Sequence, residues 1–296
     1  MATVSNAFML QTSLAMQNIA GVWRELRRNP AAFIAAILVG FYIVMAIVGP
    51  ALAPYAPNET ALVDRLQGPS VSHWLGTDGL GRDILSRCIY GARVSILIGF
   101  LSVMLCVVIG VGTGLMAGYY RGRLDSVLSR LSELLMAFPY LISAIAMMAF
   151  MGPGFFNLIW ALALRGWVEF FRLSRGDTLA QKPKEYVEAA KSLGQSHWQI
   201  MFCEILPNIL PSIIVLTTLR VGFMIVLEAS LSFLGVGIPP SIPAWGSMIS
   251  EGRGVLFIAW WVSTLPGLIL MTLVLSINIL GEGLREVLDP RLKVQS

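Results

Sequence analysis

Glu188-Ala189-Ala190 and, further on, Gly194 and then Leu206-Pro207 stand out in an otherwise apolar chain. Glu, Ala and Lys are strong helix formers and Gly is a favoured helix stop, so a short helix is expected across 184–194. Ala189 and Ala190 have small side chains, and another protein can approach such a face closely. The chemistry of this pattern is docking rather than bond making. Taken alone, the pattern is better read as a solvated hairpin between two longer elements. Arg165 and Glu169 pose a second question, because they lie four apart in an apolar run and share one helical face. An ion pair facing lipid is expensive, so they face protein or water. They either line a solute path or form a structural pair. Arg220 and Glu228 raise the same alternatives.

A third group, Asp78, Arg82, Asp83 and Arg87, is spaced so that acid precedes base by four in each pair. This is the favourable order on a helix, and Thr77 or Asp78 can cap its start. The group is read either as a rigid helix held by its own charges or as a docking surface for a soluble protein.

The motifs of bond-making sites are absent. No G-x-x-x-x-G-K-[ST] loop occurs, so ATP hydrolysis by this chain is not expected, and neither H-E-x-x-H, C-x-x-C nor G-x-S-x-G is present. Cys88, Cys106 and Cys203 follow no metal spacing and read as free thiols. No catalytic, cofactor or metal-ligating residue is assigned.

These residues need a scaffold, and the composition names its solvent. Of 296 residues, 56% are apolar and 13% charged, with mean hydropathy +0.74. A soluble domain carries about 25% charged residues. The chain reads as an all-α polytopic membrane protein with six apolar blocks, at 31–53, 94–117, 131–151, 155–171, 209–230 and 256–280. The fourth is short and holds Arg165 and Glu169. Ala51-Leu52-Ala53 resembles a signal cleavage site, but block 31–53 exceeds the roughly 7–15 residues of a signal core and Pro54 follows it, so it is read as an uncleaved span. Pro139 is expected to kink the third block. Ala15, Ile19, Val22, Trp23 and Leu26 recur at helical spacing in segment 1–30, which predicts an amphipathic helix on the membrane surface.

The positive-inside rule orients the chain. With both ends cytoplasmic, most of the 21 basic residues fall inside, among them Arg24, Arg27, Arg28, Arg121, Arg123 and Lys184. The net charge of +4 then reflects loops facing anionic lipid, not nucleic acid. The predicted organisation is a cytoplasmic segment 1–30, a first span 31–53, an outer segment 54–93, a five-helix core 94–280 with cytoplasmic loop 172–207, and a tail 281–296.

The loop around Glu188–Gly194 resembles the E-A-A-x-x-x-G…L-P signature of ABC importer permeases, with Glu204 standing where that signature has an apolar residue. Leu75-Gly76-Thr77-Asp78 through Arg93, Leu234-Gly235-Val236-Gly237 with Pro239-Pro240 and Trp245-Gly246, and Gly281-Glu282-Gly283 with Asp289-Pro290-Arg291 resemble the dipeptide/oligopeptide/nickel branch, C-type subunit. The resemblance implies one half of a translocation path for peptides or related solutes, with glutathione, nickel chelates and opines as other cargoes of the branch. It implies as partners a second homologous permease, two ATPase subunits that use ATP and Mg, and an extracytoplasmic binding protein. It implies a bacterial inner-membrane location. It assigns ATPase coupling to Glu188, Ala189, Ala190, Gly194, Leu206 and Pro207. A membrane receptor or scaffold using the loop only for recruitment is the reading from another class.

The topology predicts that a cysteine introduced at Asn58 is labelled by an impermeant reagent in intact cells while one at Lys184 is not. Labelling in the opposite sense would invert the orientation.

Overall fold

The computed structural model describes residues 29–288. The amphipathic helix expected before residue 29 and the motif residues Asp289, Pro290 and Arg291 lie outside the described residues. Among those described, the chain is helical, with one isolated bridge between Thr77 and Asp83 and no strand.

Helix α1 (Pro30–Leu52) starts on an Asn29 cap, whose side chain accepts from Ala32 N at 3.3 Å, with Pro30 preset for the first turn. Helix α2 (Ile84–Tyr120) is capped by Asp83, which accepts from Ser86 N at 2.8 Å. The cap is therefore Asp83 and not Thr77 or Asp78, which lie in the outer loop. At 1.5 Å per residue α2 is about 55 Å long, well beyond the roughly 30 Å of hydrocarbon, so it projects from the membrane. Arg121 and Gly122, both with positive φ (58° and 65°), turn the chain into α3 (Gly122–Met136).

The third apolar block is not one straight helix. Pro139 caps α4 (Tyr140–Met151), and α3 and α4 meet at a bend of 94°. Proline removes a backbone donor and forces the residue before it out of the helical region, which breaks the rod there. Helix α5 (Phe155–Gln181) is long enough to cross but carries Arg165, Glu169 and Arg172 in its middle. Helix α6 (Glu185–Ser192) follows.

The next helix, α7 (His197–Phe233), begins at a Ser196–Gln199 capping box, passes through a π-turn at Ile200–Ile205 and becomes regular α-helix from Leu206, with Pro207 in the first turn of that part. Pro207 cannot donate to the preceding turn, and the Asn208 amide donates to Glu204 O at 2.7 Å beside it. Helices α8 (Trp245–Arg253) and α9 (Trp261–Leu288) complete the chain. The sixth apolar block therefore begins its helix at Trp261, after a turn over 254–260.

Four helices, α1, α2, α7 and α9, are long and apolar enough to cross a membrane, and five segments are if bent α3–α4 counts as one. The expected count of six requires α5 as well, and its central charges set it apart.

Two apolar clusters meet on α2. One joins α2 to α4, α5, α6 and α7; the other joins it to α1, α8 and α9. The α2–α5 contact is the tightest. A Cβ at Gly110, Gly114 or Gly118 would run into the α5 backbone or side chains at Trp167, Phe171, Ser174 and Arg175. These glycines are spaced by four, so they form one smooth stripe on which α5 lies with its backbone in near contact.

Gly114→Val is expected to destabilise the purified protein by about 3 kcal/mol, read from its thermal midpoint in detergent, because the seam has no space for the side chain. Gly112→Ala faces open space and should leave the midpoint unchanged.

Candidate functional site

Three polar regions stand out, one at each end of the helical bundle and one within it.

The first is α6 and its surroundings. Val187 and Ala190 are buried in the core cluster, whereas Glu188, Ala189 and Lys191 are exposed. The amphipathic split therefore leaves Glu188 and Ala189 on the accessible face. After Ser192 the chain closes in a Schellman arrangement. Gly194 N donates to Lys191 O at 3.0 Å and Gln195 N to Ala190 O at 3.1 Å, with Gly194 at φ +77°. The left-handed turn expected at Gly194 is present, and no atom crowds it. Glu188 sits in the first turn of α6, where a carboxylate faces the positive end of the helix dipole.

Beyond the turn Leu193 is 82% exposed, and the rings of Trp198 (57% exposed) and Phe202 stack with centroids 5.5 Å apart. Leu206 is half-buried and Pro207 exposed. Exposed apolar and aromatic groups beside a small charged helix are the composition of a protein-docking surface. Trp198 and Phe202, at i and i+4, were missed by the sequence reading, although their spacing was visible.

This surface is fastened to the long helices. The Tyr119 hydroxyl and His197 Nδ1 are 2.8 Å apart, and Lys182 Nζ donates to Tyr119 O at 2.5 Å. Gln195 donates to Glu204 at 3.3 Å, which gives this departure from the apolar signature a local use. Arg175 on α5 forks onto Asp125 on α3.

The second region lies among α3, α4, α5 and α7. Arg165 and Glu169 do not pair with each other. Glu169 pairs with Arg220 across α5 and α7. Arg165 Nε donates to Leu135 O at 3.1 Å, and its guanidinium lies 5.1 Å from the centre of the Tyr140 ring. The break at Pro139 exposes the carbonyls that Arg165 reaches, an arrangement that sequence spacing cannot show. Arg220 lies 5.1 Å from the Phe223 ring, and Tyr140 meets Phe223 edge-on at 5.6 Å. Two cations, one carboxylate and two aromatic rings thus form a continuous, half-buried cluster with one net positive charge. Glu228 is not part of it. It is fully buried and accepts from Ser232 Oγ at 2.8 Å.

The third region is the loop before α2 and the start of that helix. Asp78 Oδ2 accepts from Arg82 Nε at 2.6 Å and from Arg87 Nη1 at 2.5 Å. Both guanidiniums also reach Glu251 on α8, at 2.7 Å from Arg82 and 3.2 Å from Arg87. Of the two predicted pairs, Asp78–Arg82 forms and Asp83–Arg87 does not. Asp83 is taken up by the α2 cap and by His73 Nδ1 at 3.0 Å. Asp78, Arg82, Asp83 and Arg87 are all buried. Glu251, the common partner of Arg82 and Arg87, was missed by the sequence reading, since it is remote in sequence. Trp245, fully buried, seats α8 against α2 by donating to Cys88 O at 3.0 Å.

No group of His, Cys, Asp and Glu among the described residues can hold a metal ion. The three regions offer docking, a charged and aromatic lining, and a rigid clamp.

Four long apolar helices, a bent pair and a charge cluster inside the bundle are the make-up of a polytopic membrane protein. Residues 110–294 match the family described as binding-protein-dependent transport system inner membrane component, and residues 19–69 match the N-terminal transmembrane domain of oligopeptide transport permease C. The chain belongs to this family, as a multi-pass permease subunit of ABC importers.

The glutathione transport system permease protein GsiD of Pectobacterium atrosepticum is 43% identical over 272 residues, covering 92% of this chain and 90% of the relative. The dipeptide transport system permease protein DppC of Bacillus subtilis is 39% identical over 272 residues, covering 92% and 85%. An inward-facing structure of the MetNI methionine ABC transporter has the same fold, with a TM-score of 0.58 at 19% identity over 70% of this chain and 98% of that one.

The outer clamp yields a stability prediction. Arg87 is 1% exposed, and removing one member of a buried ion network leaves the others uncompensated. Arg87→Ala should lower stability by about 3–5 kcal/mol, seen as a fall in thermal midpoint. Arg253→Ala, at an exposed position, should not move it.

Proposed function

We propose that this chain forms half of the translocation path of an importer for short peptides or peptide-like carboxylates such as glutathione. Two ATPase subunits, which bind and use ATP and Mg, drive it from the cytoplasm, and α6 is the element on which this chain receives one of them. A second homologous permease completes the path, and an extracytoplasmic binding protein delivers the solute. The path crosses the bacterial inner membrane through six spans, α1, α2, α3–α4, α5, α7 and α9, with both termini cytoplasmic.

The observation that carries this reading is the construction of α6. Its buried face is part of the core, its exposed face presents Glu188 and Ala189, and its far end is closed by the Gly194 turn beside exposed Leu193, Trp198 and Phe202. A partner that pushes on α6 pushes on α5 through the short connection at Lys182 and on the start of α7 through the Gly194 turn, and both are tied to Tyr119 at the end of α2. Motion of the ATPases is in this way delivered to the helices that hold the Arg165 cluster.

That cluster suits the cargo class. Its single excess positive charge complements a carboxylate, and Tyr140 and Phe223 offer faces to apolar side chains. Arg165, Glu169 and Arg220 line the path in this reading. Glu228 is a structural group held by Ser232. Asp78, Arg82, Asp83 and Arg87 stiffen the ledge on which a binding protein rests, and the partner touches neighbouring exposed atoms rather than the buried charges.

The test is uptake of a labelled dipeptide and of glutathione into vesicles carrying the complete complex, alongside co-purification of the ATPases. A side chain at Gly194 costs about 1–2 kcal/mol in the left-handed conformation. Gly194→Val should therefore insert normally, lose most uptake and retain less ATPase subunit. Normal ATP-dependent uptake by this variant would remove α6 as the coupling element. ATPase recruitment without uptake of any solute by the wild type would favour a scaffold.

A further inference from the structure

Between α1 and the rest of the bundle runs a groove with a volume of about 600 Å³. Ile43 and Ile47 of α1, Leu97 and Phe100 of α2, Val221 of α7 and Leu273 of α9 line it. Its few polar groups are nearly all committed. The Thr217 and Thr218 hydroxyls on its wall donate to the carbonyls of Ile213 and Ile214 at 2.7 and 3.0 Å. The exception is Arg93, an exposed lining residue with no acidic partner among the described residues. It lies one turn along α2 from Tyr90, whose hydroxyl donates to Pro50 O near the end of α1.

We propose that this groove binds one acyl chain of an anionic phospholipid, with the phosphate held by Arg93. An unpaired guanidinium beside an apolar surface at membrane depth is costly until an anion neutralises it. Arg93 is about 4–5 Å deeper than Tyr90 at the helical rise of 1.5 Å per residue. Its flexible side chain spans that distance to the headgroup level, as long basic side chains near helix ends do.

The size of the groove selects the guest. It falls in the roughly 300–1,000 Å³ range of sites for one small organic molecule. A helix about 10 Å across would fill it with under two turns, so it is no seat for a spanning helix of a partner. An acyl chain is thin enough, and the walls offer it only methyl, methylene and aromatic contacts. A zwitterionic lipid would satisfy the walls but leave Arg93 facing an already compensated headgroup, so selectivity for net negative charge follows.

The experiment is native mass spectrometry of the full chain purified with its co-expressed subunits, after adding phosphatidylglycerol or phosphatidylcholine of identical chains. The wild type should retain one phosphatidylglycerol in preference to phosphatidylcholine. Arg93→Gln should reduce that retention about fivefold, the equivalent of roughly 1 kcal/mol for one basic group at an anionic headgroup, and Arg93→Lys should restore most of it. Leu97→Trp, at a half-exposed wall position, should reduce retention of both lipids by filling the groove. Unchanged phosphatidylglycerol retention in Arg93→Gln overturns the proposal. So does a charge-dependent loss that Leu97→Trp fails to reproduce, because the lipid would then sit elsewhere. Loss of the second permease from Arg93→Gln without loss of lipid would instead make Arg93 a subunit contact.

Discussion

The backbone contact between α2 and α5 is the constraint on which the rest depends. Gly110, Gly114 and Gly118 remove side chains from one stripe of α2, and α5 occupies the vacated space. In a bilayer, apolar surface gains little by leaving lipid, so packing distance and internal hydrogen bonds must hold helices together. A close seam supplies dispersion contacts along both helices. It also fixes where α5 places Arg165 and Glu169 on one side and Lys182 on the other. The position of α6 is inherited from this, because only a short link separates it from α5.

Charge is handled differently at each depth. At the start of α2, two buried arginines and buried Asp78 meet the exposed Glu251 in a network that joins this helix to α8. Inside the bundle, Arg165 is satisfied by a carbonyl and an aromatic face, and Arg220 by Glu169 and a second ring. This leaves positive charge in excess at a half-buried position. On the cytoplasmic side of the proposed topology, ion pairs such as Arg175–Asp125 tie helix ends together, while the exposed face of α6 keeps Glu188 free for a partner. One chain thus holds a network of charges at the start of α2, a charged and aromatic cluster inside the bundle and an exposed face on α6.

The broken helices have a mechanical meaning. The 94° bend at Pro139 and the π-turn before Pro207 lie at opposite ends of the path between α6 and the Arg165 cluster. Both replace a continuous hydrogen-bond ladder by side-chain or irregular bonds, and such places absorb changes of angle more readily than regular helix. In the proposed reading, a push on α6 would reach the cluster through elements jointed in this way.

Much of this protein is written in local sequence. Uninterrupted apolar runs dictate spanning helices because unpaired backbone is prohibitive in lipid. Gly194 dictates the left-handed end of α6 because a Cβ resists that conformation, and Pro139 dictates a break because it lacks a donor. The glycine stripe on α2 was equally legible, since its period of four depends only on helix geometry. The partners of the charges were not. Spacing by four led to Asp83–Arg87 and Arg165–Glu169, yet Asp83 caps α2, Arg87 reaches Asp78 and Glu251, and Glu169 reaches Arg220. A helix offers a charge one neighbour per turn, whereas packed helices offer several at shorter range and with less water between them. Which carboxylate wins is decided by where the glycine seam and the Pro139 bend bring the helices, and that is a property of the tertiary structure alone.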